Sequence, residues 1–546
     1  MLRIIPLGGL GEIGLNAMIF ELGDEMLLVD AGLMFPRDVH AGVDIILPNF
    51  EYLQANAHKL KAVVLTHAHE DHLGALPYLL RDLPVPVFGT RFATELLRYK
   101  MQELDVETDV HEISPGEVIN PSRNLRFEAV RMCHSLPDAV GILVNTPGGS
   151  AFHTGDWKLD DAPLDGWTTD LERLHRAGDE GLDVLLSDST NAEVTAHTPS
   201  EQLVAQTFER LFRESPGRVI VSMFASHIGR MQAVMDLCAK TGRKLILSGR
   251  TMQRNMELAQ RTVHLKVPPD VLVEMKDAGF FPPKFLALLA SGSQAEPRSH
   301  LVQMSGDEFP LKFEPTDLVI LSARAIPGNE QAIGDMIDRI LAHGAKVAYW
   351  RTEPGVHVSG HASAVEQKKL ITTVRPKNFV PIHGELRHLH AHLKNAREAG
   401  IADDSMLLAR DGDVLKLDQG RLRLDGTVPV GRLFRDRDGI GTVAEEVLKE
   451  REKLAYAGVV IAVVVIDRAT GKIVAGPQLQ GRGVTDEEAH TLERGADEVR
   501  SMLEETSPVL RADDAYMKDE LIRAIRRLFK LRNHKRPTVM PAIVKL

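Results

Sequence analysis

The residues best placed to do chemistry lie in His67-Ala68-His69-Glu70-Asp71-His72, directly after the apolar run Ala62–Thr66. Imidazole suits zinc, and a carboxylate among imidazoles suits a second divalent ion or a bridging position. The other use of such a stretch is a polar turn capping the next helix, which needs one of these residues and not four. Three further segments follow strand-like runs with a potential ligand: Met132-Cys133-His134-Ser135, Phe152-His153-Thr154-Gly155-Asp156 and Phe379-Val380-Pro381-Ile382-His383-Gly384. Each alone reads as readily as a satisfied turn. With the first cluster they complete the donor count that two metals need. Cys133 points the other way along its strand from His134 and reads as packing.

The elements that must position these donors alternate in type. Ala62–Thr66, Ala139–Val144 and Leu182–Leu186 read as strands, and Leu73–Leu80 as a short helix. Gly8-Gly9-Leu10-Gly11-Glu12-Ile13-Gly14 is a tight turn or active-site loop after a strand; no helix follows it to make a dinucleotide fingerprint. The middle of the chain has its own α/β rhythm: helices over Gln202–Phe212 and Arg230–Lys240, and strands over Arg218–Met223, Lys244–Leu247, Asp317–Ser322 and Lys346–Trp350. It holds no clustered histidines, yet candidate ligands flank it on both sides, which reads as one domain inserted into another. Gly412–Gly441 reads as a strand pair and a linker, followed by a charged helix over Ala444–Lys453. The last unit reads as a strand (Ala457–Ile466), a turn at Ala469–Lys472, helices over Glu487–Glu504 and Ala512–Leu531, and a terminal strand. His388, His390 and His392 are expected on a solvated helix.

Composition bounds the rest. With 546 residues, three or four domains are expected at about 150 each. Apolar residues at 44% and charged residues at 26% describe a globular chain. The longest apolar run, Val459–Ile466, is far short of the ~20 residues of a membrane span. Two cysteines and no secretory leader lead us to expect a reducing cytoplasm. Net charge is −11, from 65 basic and 76 acidic residues, but screening lets a local basic channel act independently of a distant acidic surface.

The ligand pattern resembles the metallo-β-lactamase fold. By that resemblance His67, His69 and His134 hold one metal, Asp71, His72 and His383 the other, and Asp156 bridges them. Ser187-Asp188-Ser189-Thr190-Asn191, the segment His357-Val358-Ser359-Gly360-His361 and the insertion between them are similar to the β-CASP nucleic-acid-processing nucleases, and most of all to the ribonuclease J family, which also carries a C-terminal domain. The resemblance implies an α/β chain: a metallo-β-lactamase αββα sandwich (1–200 and 351–425), an inserted β-CASP domain (201–350), a linker (426–453) and a small α/β domain (454–546) that forms a homodimer or homotetramer. It implies two divalent ions, zinc first and manganese as the alternative, activating a water for phosphodiester hydrolysis. Asp71, Asp188 and His361 are the expected catalytic residues; an alternative for Asp188 is a helix N-cap. His357, Val358, Ser359, Gly360 and His361 are expected to bind substrate, with Gly360 letting backbone amides approach a phosphate. Ser226 and His227, at a strand-to-helix junction, are expected to take a 5′-terminal phosphate, against simple capping of the Arg230 helix. Asp44 and Asp436 match an accessory calcium position, though Thr442 stands where an acidic residue is expected nearby. The basic residues Lys518, Arg523, Arg526, Arg527, Lys530, Arg532, Lys535 and Arg536 read as a solvated or subunit-facing helix, or as an RNA contact.

The implied function is 5′→3′ exonuclease and endonuclease activity on single-stranded RNA in rRNA maturation and mRNA decay, with a 5′-monophosphate preferred and other RNA-decay proteins as partners. The alternatives are a β-CASP nuclease acting on DNA, since sugar choice rests on contacts to the 2′-OH, and a small-molecule metallo-hydrolase, which does not need the insertion or the His357–His361 segment. A metal-bound RNA scaffold without catalysis is disfavoured by the full set of seven ligands with Asp188 and His361.

Overall fold

Strands buried on both faces dominate the first half of the chain, as near-continuous apolar runs require. In this computed structural model, which describes residues 1–36, 40–326, 328–436, 442–532 and 536–546, they form two sheets. The first has the order Arg421–Thr427, Asp413–Asp418, Leu2–Gly8, Ala17–Leu22, Glu25–Val29, Leu60–Val64, Val87–Gly89, Val110–Glu112. The second has the order Asn378–Ile382, Val184–Asp188, Gly149–His153, Val140–Thr146, Arg126–Arg131, Val118–Ile119. One core joins them, with Phe20, Leu27, Val29 and Val64 packed with Phe127, Ile142, Leu186 and Val380. Helices Leu171–Asp179, Ala364–Val374 and Leu386–Glu398 cover the outer face of the second sheet through Leu174, Leu370 and Ala396. Helix Arg91–Glu103 packs at the edge of the first. The result is the expected αββα sandwich, completed by strands from both ends of the insertion. The expected Leu73–Leu80 helix is instead two, Glu70–Leu73 and Leu76–Asp82. Pro77 lacks the N–H that would continue the first helix and sits well only in the first turn of a new one.

A separate parallel sheet is built wholly within the insertion, in the order Lys244–Ser248, Leu286–Ala290, Val219–Ser222, Leu318–Leu321, Lys346–Ala348. The strand Leu286–Ala290 escapes sequence patterning because Leu-Ala-Leu-Leu-Ala has no β-branched residue; complete burial, not propensity, makes it a strand.

The chain divides into two compact units, Met1–Met34 with Ile46–Leu433, and Phe35–Ile45 with Phe434–Leu546. In the second, Val459–Ile466 lies between Ile473–Arg482, antiparallel, and Thr538–Lys545, parallel. Helices Asp486–Glu504 and Asp514–Arg532 cover one face through Leu492, Val499, Leu521 and Leu528. The strand Ile473–Arg482 is an addition to the expected order: Gly476 and Pro477 mask it in sequence, and Pro is tolerated because this is an edge strand. Lys518, Arg523, Arg526, Arg527, Lys530 and Arg532 lie on the exposed side of their helix, where Arg523 pairs with Glu520 at 3.4 Å and Arg532 with Glu498. Lys535 lies outside the described residues. No helix among the described residues is long and apolar enough to cross a membrane.

Close backbone packing beneath the His67–His72 segment gives a direct test of the fold. A Cβ on Gly32 would come within 1.6 Å of the Asp71 carbonyl oxygen, whereas a Cβ on Gly334, inside helix Glu330–Ala342, meets nothing. Gly32→Ala should therefore destabilise by at least the ~1–3 kcal/mol of ordinary overpacking, and Gly334→Ala should stabilise by roughly 0.5–1 kcal/mol through helix propensity. Urea unfolding of the two variants checks the contrast; equal midpoints would contradict it.

Candidate active site

Three neighbouring parallel strands of the second sheet end side by side, with His153 registered on Leu186 and Asp188 on Ile382. Segments leaving the carboxyl ends of adjacent parallel strands share a crevice. Asp156, Asp188 and His383 thereby meet, and His134 and the His67–His72 segment join them from the ends of Arg126–Arg131 and Leu60–Val64.

Two donor sets share one carboxylate. His67 Nε2 is 3.0 Å and His134 Nε2 3.2 Å from His69 Nδ1, and Asp156 Oδ2 lies 3.6 and 3.7 Å from the two Nε2 atoms. On the other side Asp156 Oδ1 lies 3.2 Å from His72 Nε2 and 3.5 Å from His383 Nε2, with Asp71 Oδ2 3.8 Å from His72 Nε2. Four donors about 2.0–2.1 Å from one tetrahedral ion stand roughly 3.3 Å apart, so these separations fit a cation in each set. Asp156 Oδ1 is buried with no hydrogen-bond partner among the described residues, which marks a missing positive partner.

Four of the rings are held through Nδ1, which turns Nε2 of His67, His72, His134 and His383 toward the centre. His72 Nδ1–H donates to Asp30 Oδ2 at 2.7 Å, and His383 Nδ1–H to Asn16 Oδ1 at 2.8 Å. His134 Nδ1–H donates to the Gly360 carbonyl at 2.8 Å. Thr66 Oγ1 donates to Asp30 Oδ2 at 2.7 Å, and so accepts from His67 Nδ1–H at 3.0 Å. Such partners fix the tautomer and raise ligand basicity. Burial pushes His67 and His134 well below their ordinary value and His69 to about 4, which keeps their lone pairs free. Burial also opposes charge on His72, but Asp156, Asp71 and Asp30 overcome it and raise that ring well above the ordinary value. Asp156 is held well below the carboxylate range despite burial by His383, His72 and His361. His383 itself has φ +50, a left-handed conformation uncommon for a non-glycine residue.

Beside this centre His361 Nδ1–H donates to Asp188 Oδ2 at 2.8 Å and lies 4.0 Å from Asp156 Oδ2. Burial would lower its value, but Asp188 and Asp156 raise it to about 9. Asp188 Oδ1 accepts from Thr190 N and Oγ1 at 2.8 and 2.7 Å, closing a turn; the next helix begins only at Glu201, so the helix-cap alternative does not hold. Gly360 has a packing role besides the phosphate contact expected of it. A Cβ there would lie 2.9 Å from His134 Cε1, so glycine lets the segment close on a candidate ligand. Ser359 Oγ accepts from Asn191 Nδ2 and His361 N at 2.8 and 3.1 Å, which leaves its hydroxyl proton to point outward. Val358 is buried, and its carbonyl accepts from Arg230 Nη2 at 2.9 Å.

Arg230 ties this segment to the insertion. Its guanidinium grips Glu201 at 2.7 and 2.9 Å, donates to His357 Nδ1 at 2.9 Å and reaches the Ser322 carbonyl at 3.0 Å. His227 caps the Ile228–Thr241 helix, its Nδ1 accepting from Arg230 N at 3.4 Å, and turns Nε2 to Glu201 at 3.2 Å. The capping alternative is therefore realised for His227. Ser226 is part-exposed and makes no side-chain hydrogen bond among the described residues. Asp44 and Asp436 are exposed, and no group of three donors among the described residues includes either; 437–441 lie outside the described residues. His388 and His392 correct the expectation of a solvated helix. Only His390 is exposed, while His392 is buried against Phe379 and Ser189. The Gly8–Gly14 turn lies at the site, pairing Leu10 with Gly384 and Gly11 with Glu385. Sequence reading missed Asp30, Asn16, Thr66, Glu201 and Arg230. Asp30 alone carried a signal, a carboxylate directly after a strand.

Comparison with known proteins agrees with this geometry. Four family models match: Beta-lactamase superfamily domain at residues 26–223, Ribonuclease J, beta-CASP domain at 216–340, Zn-dependent metallo-hydrolase RNA specificity domain at 351–403, and Ribonuclease J C-terminal domain at 446–546. The chain is 40% identical to Ribonuclease J of Synechocystis over 88% of this chain and 76% of the relative. It is 36% identical to Ribonuclease J of Thermus thermophilus over 100% of this chain and 95% of the relative. The chain belongs to the ribonuclease J family. A solved structure of a protein of unknown function from Enterococcus faecalis shares the fold, with TM-score 0.53 and 15% identity over 76% of this chain and 99% of that one. In this member of the ribonuclease J family the seven donors expected as metal ligands stand together, as do Asp188 and His361.

The buried Glu201–Arg230 pair can be tested by pH. Arg230 and His227 hold the Glu201 carboxylate well below its ordinary value of 4.5 against the opposing effect of burial. A depressed carboxylate stabilises the fold above its unfolded value and loses that contribution as pH falls through the lower folded value. Glu201→Gln should cost about 3–5 kcal/mol at neutral pH by leaving the guanidinium unpaired, and the gap to wild type should narrow below pH 4.5. Urea unfolding between pH 7 and pH 3 measures it; a gap that is the same throughout would remove the ion pair as its cause.

Proposed function

We propose that the chain is a metal-dependent ribonuclease that cleaves single-stranded RNA, with His67, His69 and His134 holding one ion, Asp71, His72 and His383 the other, and Asp156 bridging. The reading rests on one observation above all: the two oxygens of Asp156 divide between two donor sets, and Oδ1 is otherwise orphaned. Membership of the ribonuclease J family supports the RNA substrate. Five imidazole donors favour zinc, with manganese the alternative. When bound, the ions supply an activated water and neutralise charge on the phosphoryl group.

The chain's own residues do the remainder. Asp71 accepts the proton of the attacking water. Asp188 orients His361 through Nδ1, so that Nε2 carries the proton given to the leaving oxygen. The Ser359 hydroxyl donates to a backbone phosphate, and His357, fixed by Arg230, frames the same segment with Val358 and Gly360. Ser226 offers its hydroxyl to a 5′-monophosphate, with His227 holding the turn. An insertion and a positioned loop of this kind are more than a small-molecule hydrolase needs. We assign 1–200 and 351–425 to the metal-binding domain, 201–350 to the insertion, 426–453 to the linker and 454–546 to a self-associating domain. The outer face of its three-stranded sheet presents Ile461, Val474, Met540 and Val544 to solvent, an apolar patch suited to a homodimer or homotetramer. Exonucleolytic and endonucleolytic roles in rRNA maturation and mRNA decay, RNA-decay partners, a reducing cytoplasm and an accessory calcium at Asp44 and Asp436 complete the proposal.

Two experiments test it. Elemental analysis should find close to two divalent ions per chain; Asp156→Ala should lose ions and activity together, while His361→Ala should lower turnover by about 10²–10⁴ with metal content retained. At most one ion with full activity would sink the two-metal reading, and metal loss in His361→Ala would make that residue a ligand. On RNA with 5′-monophosphate, 5′-hydroxyl or 5′-triphosphate ends, the monophosphate should be degraded fastest, and Ser226→Ala should weaken the preference without ending cleavage. Equal rates for all three ends would remove the phosphate pocket. DNA of the same sequence should be the poorer substrate.

A further inference from the structure

One aromatic side chain near the site has no role in the chemistry above. Trp350 is 38% exposed. Two guanidiniums accompany it, Arg351 at 4.8 Å and Arg324 at 5.7 Å from the ring centroid. Both arginines are exposed, and neither makes an ion pair among the described residues. In a chain of net charge −11, two such cations around an exposed indole need an explanation.

The place of the three residues supplies one. Ser222 is registered on Leu321, and Ile320 on Ala348, so the segments that follow these strands leave the same carboxyl edge of the inserted sheet side by side. Those segments carry Ser226, Arg324 and Trp350 in a row, in the position where parallel sheets bind ligands. The row is wired to the substrate segment. Ser322 Oγ donates to the Val356 carbonyl at 2.7 Å, and Arg230 joins the Ser322 carbonyl to His357 Nδ1. It is also held in place before any ligand arrives. Gln294, buried, donates to the Arg324 carbonyl at 2.8 Å and accepts from Ile326 N at 2.8 Å. On the other side Thr352 N and Glu353 N both donate to the Tyr349 carbonyl, closing a tight turn around Trp350 and Arg351. Indole and guanidinium planes are the surfaces on which unpaired bases stack, and a preorganised platform binds at lower entropic cost.

We infer that Trp350, with Arg324 and Arg351, is a stacking platform for an unpaired base of the RNA strand, next to the His357–His361 segment and outside the catalytic centre. This rests on the ribonuclease reading and adds to it a binding subsite with no catalytic residue. A protein partner on the same patch is the competing use, and it would leave cleavage of naked RNA untouched.

The test compares wild type, Trp350→Ala, Trp350→Phe and the double substitution Arg324→Gln with Arg351→Gln on 5′-monophosphorylated single strands from two to twenty nucleotides. Trp350→Ala should raise KM about tenfold on the longer strands, within the range of one lost base–aromatic stack, with kcat, metal content and the dinucleotide rate near wild type. Trp350→Phe should recover most of the loss, and the double arginine variant should raise KM and weaken its dependence on salt. RNA added to metal-free protein should quench tryptophan emission in wild type more than in Trp350→Phe. Unchanged KM at every length overturns the platform, as does an equal loss on the dinucleotide, which would mean that the ring only supports the fold. A wild type that cuts no RNA overturns the nuclease reading itself, and the platform with it.

Discussion

The structure depends on one buried carboxylate. Asp156 stands among His67, His72, His134, His361 and His383, with one oxygen toward each donor set. A buried charge is tolerated only when it is paired; His383, His72 and His361 hold this one as a carboxylate, and the fold brings the donors on either side of it to spacings that fit cations. Strands of both sheets end there, and Gly32 and Gly360 let backbone and ligands approach more closely than any side chain would allow.

A second buried charge, Arg230, links the centre to the insertion. By gripping Glu201, Ser322, His357 and Val358 at once, it sets the position of the segment that carries Ser359 and His361. An ion pair this deep is a poor way to gain net stability, since desolvation offsets most of the attraction. Its geometry suggests specificity of position: three other chain segments must be in place before all its donors are satisfied. The same hydrogen bonds tie Ser322, at the end of an inserted strand, to Val356 and His357, and so connect the edge of the inserted sheet on which Trp350 lies to the segment that carries His361.

The apparent conflict between an acidic chain and an RNA substrate dissolves at this scale. At physiological salt, charges more than about 8 Å apart are largely screened. The exposed Arg324 and Arg351 therefore act locally, whatever the net charge of the chain.

The sequence by itself determined the donors and the elements that carry them. Strand-then-histidine segments are local patterns, set by burial on both faces of a strand and by the polar residues at its end, so the segments that carry the candidate donors were legible without coordinates, and the resemblance to a family picked out His67, His69, Asp71, His72, His134, Asp156 and His383 within them. The alternation of strands and helices and the presence of an insertion were legible in the same way, while the αββα sandwich, Asp188 and His361 came through the resemblance to a family. What failed lacked a local signal. Leu286–Ala290 is a strand only because neighbours bury it, and Ile473–Arg482 only because its proline falls on an edge. Pro77 split an expected helix, and His392, read as solvated, turned inward toward Ser189. The tertiary structure alone decided which atoms face one another: that Asp30 and Asn16 orient His72 and His383, that Gly360 serves a ligand, and that Arg230 is a clamp. Hydrogen bonds between residues from 29 to 367 positions apart leave no trace in spacing or periodicity, because they are made by packing.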